Sequence, residues 1–136
     1  MRIFLDANVL FSAAKSDGAV RRLLTLVLEA GHECWADGYV VEEARRNLVA
    51  KAPQGIPALS ALLARVHLAA AQPHPAASEA TLAVPEKDRP VLAAAIRLAC
   101  DALVTGDRTH FGAFYGKSLG GVKIYSPRLL AEALIA

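Results

Sequence analysis

The chain alternates short apolar runs with longer segments of helical period. Arg2 to Leu5 is apolar and brief, as a buried strand would be, and it stops at Asp6. The helix-compatible run Val9 to Ala14 follows, and Ser16-Asp17-Gly18 breaks it. Asp17 is placed to cap a helix from Ala19 to about Ala30, which Gly31 would end. His32 to Ala36 reads as a second strand, stopping at Asp37-Gly38. A helix from Tyr39 to about Ala50 comes next, then the breaker Ala52-Pro53-Gln54-Gly55. Beyond it lie a helix from Pro57 to about His67 and a short strand over Leu68 to Ala71. Gln72 to Pro85, with three prolines, reads as a surface connection holding at most one helical turn near Ser78 to Leu82. The pattern closes with a helix from Asp88 to Cys100 and a buried strand from Ala102 to Thr105. After the Gly106-Asp107 turn come a strand from Val122 to Tyr125 behind Gly120-Gly121 and a helix opened by Pro127. Strands and helices alternating in this order predict a single α/β domain over residues 1–136, with about five mainly parallel strands and helices on both faces.

Composition narrows the class. The 54% hydrophobic content, much of it Ala and Leu, suits a soluble globular chain rich in helix. No run approaches the roughly 18 apolar residues of a membrane span. Asp6 breaks the N-terminal apolar segment, so it does not read as a secretory leader. Cys34 and Cys100 are far apart, with no Cys or His at metal spacing beside them. Two buried thiols in a reducing cytoplasm are expected. The net charge of +2 is too small by itself to argue for nucleic acid. With four of the 13 carboxylates committed to one site, however, nine would face 15 Lys and Arg, leaving a basic surface around an acidic hole.

The acids repay a closer look. Asp6 and Asp107 each follow an apolar strand, and in an open parallel sheet both would project beyond the carboxyl edge, where ligands bind. Each also fits a plain helix cap or turn. Asp88 shares a helical face with Leu92, Ala95, Ile96 and Ala99, while Arg89 and Arg97 turn outward. A carboxylate on a buried face needs a partner, either a capping hydrogen bond or a cation. On the helix from Tyr39, the apolar face is Val40, Val41, Ala44 and Leu48; Glu42 lies opposite it and Glu43 on its flank, within reach of the sheet edge. Asp101 begins its strand and so marks the opposite edge, and Asp37 is explained as a helix cap. Asp6, Glu43, Asp88 and Asp107 would repel one another unless a divalent cation neutralised them. An all-oxygen set suits Mg²⁺ or Mn²⁺, and the lack of Cys or His spacing disfavours zinc.

Four stretches in order carry a resemblance. Leu-Asp-Ala-Asn-Val-Leu, Val-Val-Glu-Glu-Ala-Arg-Arg, Asp-Arg-Pro-Val-Leu-Ala-Ala-Ala-Ile with Cys-Asp-Ala-Leu-Val-Thr-Gly-Asp-Arg-Thr-His-Phe, and Gly-Val-Lys-Ile-Tyr-Ser-Pro-Arg-Leu-Leu together resemble a PIN domain. The branch they look most like is the bacterial VapC-type toxins and related stand-alone PIN proteins. The resemblance implies a three-layer α/β/α sandwich and metal-dependent cleavage of RNA. It places the family's acids at Asp6, Glu43, Asp88 and Asp107, with Asn8 orienting the first Asp and Thr105 in support. It further implies a homodimer and, for a toxin, a cognate antitoxin. Arg45, Arg46 and Arg108 are candidates to grip the RNA backbone, alongside Lys51, Lys117 and Arg128. His110 reads as an exposed loop residue without a role, and Trp35 as core. Two other readings compete: an RNA-binding module or processing factor that cleaves nothing, and a haloacid-dehalogenase-like phosphohydrolase. The latter wants an Asp where this chain has Asn8.

Overall fold

The computed structural model describes residues 1–72 and 78–135. Six strands form one sheet: β1 (Arg2–Leu5), β2 (Glu33–Asp37), β3 (His67–Ala69), β4 (Ala102–Val104), β5 (Ser118–Leu119) and β6 (Val122–Tyr125). Their order is β3-β2-β1-β4-β6-β5, and every pairing is parallel except β5 with β6. The sequence pattern predicts about five strands. The sixth, β5, is two residues long and carries no periodicity; the pair Gly120 and Gly121, both at positive φ, folds it back onto β6.

The helices are α1 (Ala7–Lys15), α2 (Ala19–Glu29), α3 (Gly38–Lys51), α4 (Ile56–Leu63), α5 (Glu79–Leu82), α6 (Arg89–Arg97), α7 (Arg108–Phe111) and α8 (Pro127–Ile135). Moving outward from β1 to β2 to β3 with right-handed crossovers puts α1 to α4 on one face of the sheet. These helices pack on one another, while α5 packs on α6 and α6 on β4. None of the described helices is long and apolar enough to cross a membrane. The expected connection from Gln72 to Pro85 lies partly outside the described residues; within it, Ser78 caps α5 through a reciprocal Ser78–Thr81 box.

The core is centred on β1 and β4, where Ile3, Phe4, Leu5, Ala102, Leu103 and Val104 are fully buried. Such continuous apolar runs mark strands covered on both faces. Some helix ends follow local chemistry and others do not. Gly31, at φ +89°, closes α2: His32 N–H donates to Val27 O and Gly31 N–H to Leu28 O. Asp17 does not cap α2; Gly18 occupies that position without a side-chain bond. α6 ends at Arg97, and Ala99 takes a positive φ of 54° and faces solvent instead of joining the predicted apolar face. Cys34 and Cys100 are buried free thiols, and burial pushes both up to about 11.

Gly55 sits where α1 and α3 meet. A Cβ there would lie 2.8 Å from Ala14 O and 2.9 Å from Leu48 Cδ2. Gly55→Ala is therefore expected to lower stability by about 1–3 kcal/mol. Gly112→Ala, whose Cβ would find only Arg108 Cβ at 3.8 Å, should change it by less than about 0.5 kcal/mol. Urea unfolding of the two variants checks the contrast.

Candidate active site

β1 and β4 are neighbours, yet the chain leaves them in opposite directions across the sheet, β1 towards β2 and β4 towards β6. This is the switch point of an open parallel sheet, where the following loops part and leave a crevice. Asp6 follows β1 and Asp107 follows β4 by three residues, so both stand at that crevice. Asp6 N–H donates to Val104 O, carrying the ladder one residue past β1.

Asp6 is 5% exposed and held from two sides. Its Oδ1 accepts from Ala7 N–H at 2.7 Å, and Oδ2 accepts from Thr105 Oγ1 at 2.8 Å. Asn8 Nδ2 lies 3.4 Å from Asp6 Oδ2 and 3.3 Å from Thr105 Oγ1, while Asn8 Oδ1 accepts from Gly106 N–H at 2.8 Å. Thr105 also accepts from Asp107 N–H at 3.2 Å. Asn8 and Thr105 thus tie the two strand ends together and fix the rotamer of Asp6.

The other acids come from two helices and a turn. On α3, Tyr39, Glu43 and Asn47 recur at four-residue spacing and line the crevice, while Glu42 is exposed. Asp88 ends the 3₁₀ turn Glu86–Asp88, is 8% exposed, and makes no capping hydrogen bond to α6. The cap explanation of Asp88 therefore fails, and its charge must be met otherwise. Asp107 does cap, accepting from His110 N–H through Oδ1 at 3.1 Å, which leaves Oδ2 turned to the cleft. Asp6, Glu43, Asp88 and Asp107 all line one cleft of about 130 Å³, with Lys87 at its wall. A larger cavity of about 280 Å³, among α1, α2 and α4, is lined by no carboxylate.

His110 is not an exposed loop residue. It lies in α7, and its Nδ1 stands 3.0 Å from Asp88 Oδ2 and 2.7 Å from Asp107 Oδ2. Both distances are short, but neither contact is aligned as a hydrogen bond, so Nδ1 and Asp88 Oδ2 are buried without a directional partner. Among the described residues, Asp88, Asp107 and His110 offer ligand atoms within 4.8 Å of one another. The sequence alone suggested an all-oxygen set; this trio adds a nitrogen to it. Its signal there was slight: a His three residues after a strand-end Asp, in a segment with no helical period.

Electrostatics agree with a cation site. Burial pushes Asp6 up to about 6 against the hydrogen bonds from Thr105 and Ala7, with Glu43 and Asp88 adding to the rise. Asp88 is raised by burial and by Asp107, while His110 acts to lower it. An unpartnered Asp88 oxygen at the cleft and an unpartnered His110 nitrogen behind it, with two carboxyls that resist ionisation, fit a divalent cation as the missing charge.

The remaining candidates lie outside this cleft. Asp37 caps α3 through Val40 N–H at 3.2 Å, and Asp101 pairs with the amino end of β1 through Arg2 N–H at 2.7 Å. Arg89 does not turn outward; it is half-buried, and its Nε donates to Val84 O. Arg45 and Arg46 are exposed on α3 and line no part of the cleft. Arg108 lines a second groove of about 560 Å³ on the far side of the Gly106-Asp107 turn, with Tyr115, Pro127, Arg128 and Leu129. Arg128 pairs with Glu132 at 3.2 Å, but both are well exposed, so the pair yields easily. Trp35 is half-buried between Arg2, 4.5 Å from its ring, and His67, stacked at 4.7 Å.

Asp6 gives a pH prediction. Its carboxyl holds a proton up to about pH 6 when folded but only up to its ordinary value of 3.8 when exposed. Stability in EDTA should therefore fall as pH rises from 4 to 6, by up to roughly 3 kcal/mol, and stay low above. Asp6→Asn should be the more stable protein at pH 7.5 by on the order of 1–3 kcal/mol, and the gain should vanish near pH 4. Equal urea midpoints for the two proteins across that range would mean that Asp6 is solvated.

Comparison with known proteins places the fold. No curated protein matches the sequence. Similar solved structures include two VapBC complexes. VapBC2 from Rickettsia felis, bound to a DNA fragment from their promoter, is 15% identical with a TM-score of 0.63, over 93% of this chain and 98% of that one. VapBC-1 from nontypeable Haemophilus influenzae is 13% identical with a TM-score of 0.59, over 94% and 99%. At these identities the likeness is one of fold. The PIN domain family model matches residues 2–109, from β1 through all four cleft acids. The chain belongs to the PIN domain family.

Proposed function

We propose that this chain is a Mg²⁺- or Mn²⁺-dependent endoribonuclease, acting as the toxin component of a toxin–antitoxin pair. The observation that carries the reading is the convergence of Asp6, Glu43, Asp88 and Asp107 on one small polar cleft at the switch point. Asp88 and Asp107 would hold the cation, with Asp6 and Glu43 completing the negative wall. When bound, a divalent ion supplies a lowered pKa for water and offsets charge developing on the phosphate.

The chain's own groups do the rest. Asn8 and Thr105 keep Asp6 in one rotamer, so the carboxylate needs no reorganisation during the reaction. A carboxylate oxygen of Asp107 or Asp88 left free orients the attacking water and takes its proton. Lys87, at the cleft wall, meets the substrate phosphate. Water attacks phosphorus directly, so the products carry 5′-phosphate and 3′-hydroxyl ends and no 2′-hydroxyl takes part.

The groove beyond Gly106 supports an RNA path. Arg108 and Arg128 stand on a mostly apolar floor beside the acids, a setting that suits a phosphate and its base. The sequence resemblance to VapC-type toxins and the fold likeness to VapBC2 and VapBC-1 support a cognate antitoxin. A homodimer accords with the same resemblance, and two free buried thiols accord with a cytoplasmic location.

Cleavage of a mixed structured RNA pool should require Mg²⁺ or Mn²⁺, stop in EDTA and yield 5′-phosphate ends. Asp107→Asn should lose roughly 10²–10⁴-fold in rate. Products ending in 2′,3′-cyclic phosphate, or activity that survives both Asp6→Asn and Asp107→Asn, would refute the mechanism. Arg108→Ala with Arg128→Ala should raise KM and leave kcat nearly unchanged. Each lost phosphate contact should flatten the slope of log affinity against log salt by about 0.7.

A further inference from the structure

His110 belongs to neither the acid set nor the basic groove, yet it stands closer to two cleft carboxylates than they need for mutual screening. α7 fixes this position. Asp107 caps the helix with Oδ1, so the ring three residues on lies over the same turn as Oδ2. Phe111, fully buried next door, anchors that turn in the core.

An imidazolium hydrogen-bonded to Asp88 or Asp107 would point its Nδ1–H along the ring plane at one oxygen. Here that direction meets neither, and Nδ1 remains without an aligned partner although it is 2.7 and 3.0 Å from the two. The buried Asp88 Oδ2 is left without an aligned partner in the same way. Around a first-row divalent ion with bonds of about 2.0–2.2 Å, adjacent ligand atoms lie roughly 3 Å apart. The observed separations have that size, in a group already suited to a cation.

We infer that His110 is a nitrogen ligand to the metal of this cleft, and that it gives the site a preference for Mn²⁺ over Mg²⁺. The inference rests on the metal-dependent reading above. Mg²⁺ takes oxygen ligands in a near-ideal octahedron, whereas imidazole suits the first-row transition ions. A cleft of carboxylates alone would discriminate little between the two ions; the imidazole supplies the difference.

The test is metal binding by the full chain, without RNA. Isothermal titration with MnCl₂ and MgCl₂ would be run on the unsubstituted protein, His110→Ala and His110→Asn, with electron spin-echo spectra of the Mn²⁺ forms. The unsubstituted protein should bind Mn²⁺ at least about tenfold more tightly than Mg²⁺ and show ¹⁴N coupling. His110→Ala should lose the coupling and most of the Mn²⁺ preference, with Mg²⁺ affinity changed less than about threefold. His110→Asn, which keeps a polar donor on α7, controls for loss of the fold: it should bind both ions with no directly bound ¹⁴N. Absence of ¹⁴N coupling in the unsubstituted protein would overturn the inference while leaving the metal site standing. So would Mn²⁺ and Mg²⁺ affinities that fall together in His110→Ala, since His110 would then only position the carboxylates. No divalent binding by the unsubstituted protein would instead overturn the metal-dependent reading itself, and this inference with it.

Discussion

The hydrogen bond from Thr105 Oγ1 to Asp6 Oδ2, 2.8 Å long and buried, links the ends of the two central strands. It exists because β1 and β4 pair in parallel, with Leu5 opposite Val104, so that the next residue of each strand arrives at one level. Asn8 reaches across the same gap to Gly106 N–H. Without these bonds Asp6 would be an unpartnered carboxylate in a nearly closed site. With them its orientation is set before any ligand arrives, and Asp107, whose N–H also meets Thr105, is set with it.

This arrangement works against the stability of the fold. Burial holds Asp6 up to about 6 and raises Asp88 as well, and both shifts disfavour the charged carboxylates. The fold tolerates the conflict because the centre of the sheet, around Phe4, Leu5, Leu103 and Val104, is apolar and fully buried. A rigid core can hold a local electrostatic cost that a looser one would relax by moving the side chains apart. The acids are gathered at the one edge where loops part, and the opposite edge keeps ordinary pairs such as Arg2 with Asp101.

Much of this was legible in the sequence. Short apolar runs ending in Asp located β1 and β4, and helical phase separated Glu43 from Glu42, which face the cleft and solvent respectively. Gly31 and Pro127 marked a helix end and a helix start through local backbone preference alone. Less legible were features with too few residues to carry a period. The two-residue strand β5 and the four-residue α7 are both of this kind. The place of His110 went unread for the same reason, and with it the nitrogen in the cluster.

The sequence by itself determined the order of strands and helices along the chain, the apolar core and the set of candidate acids. These depend on properties of single residues and on spacings along one element, which act before the chain has folded. Tertiary structure alone decided which of those acids meet. Asp88 could have capped its helix, and the local pattern gave that reading every support. Only the approach of α7, which follows β4, placed a second carboxylate and an imidazole against it. The distances within that group depend on packing between elements distant in the chain, and no local preference encodes them.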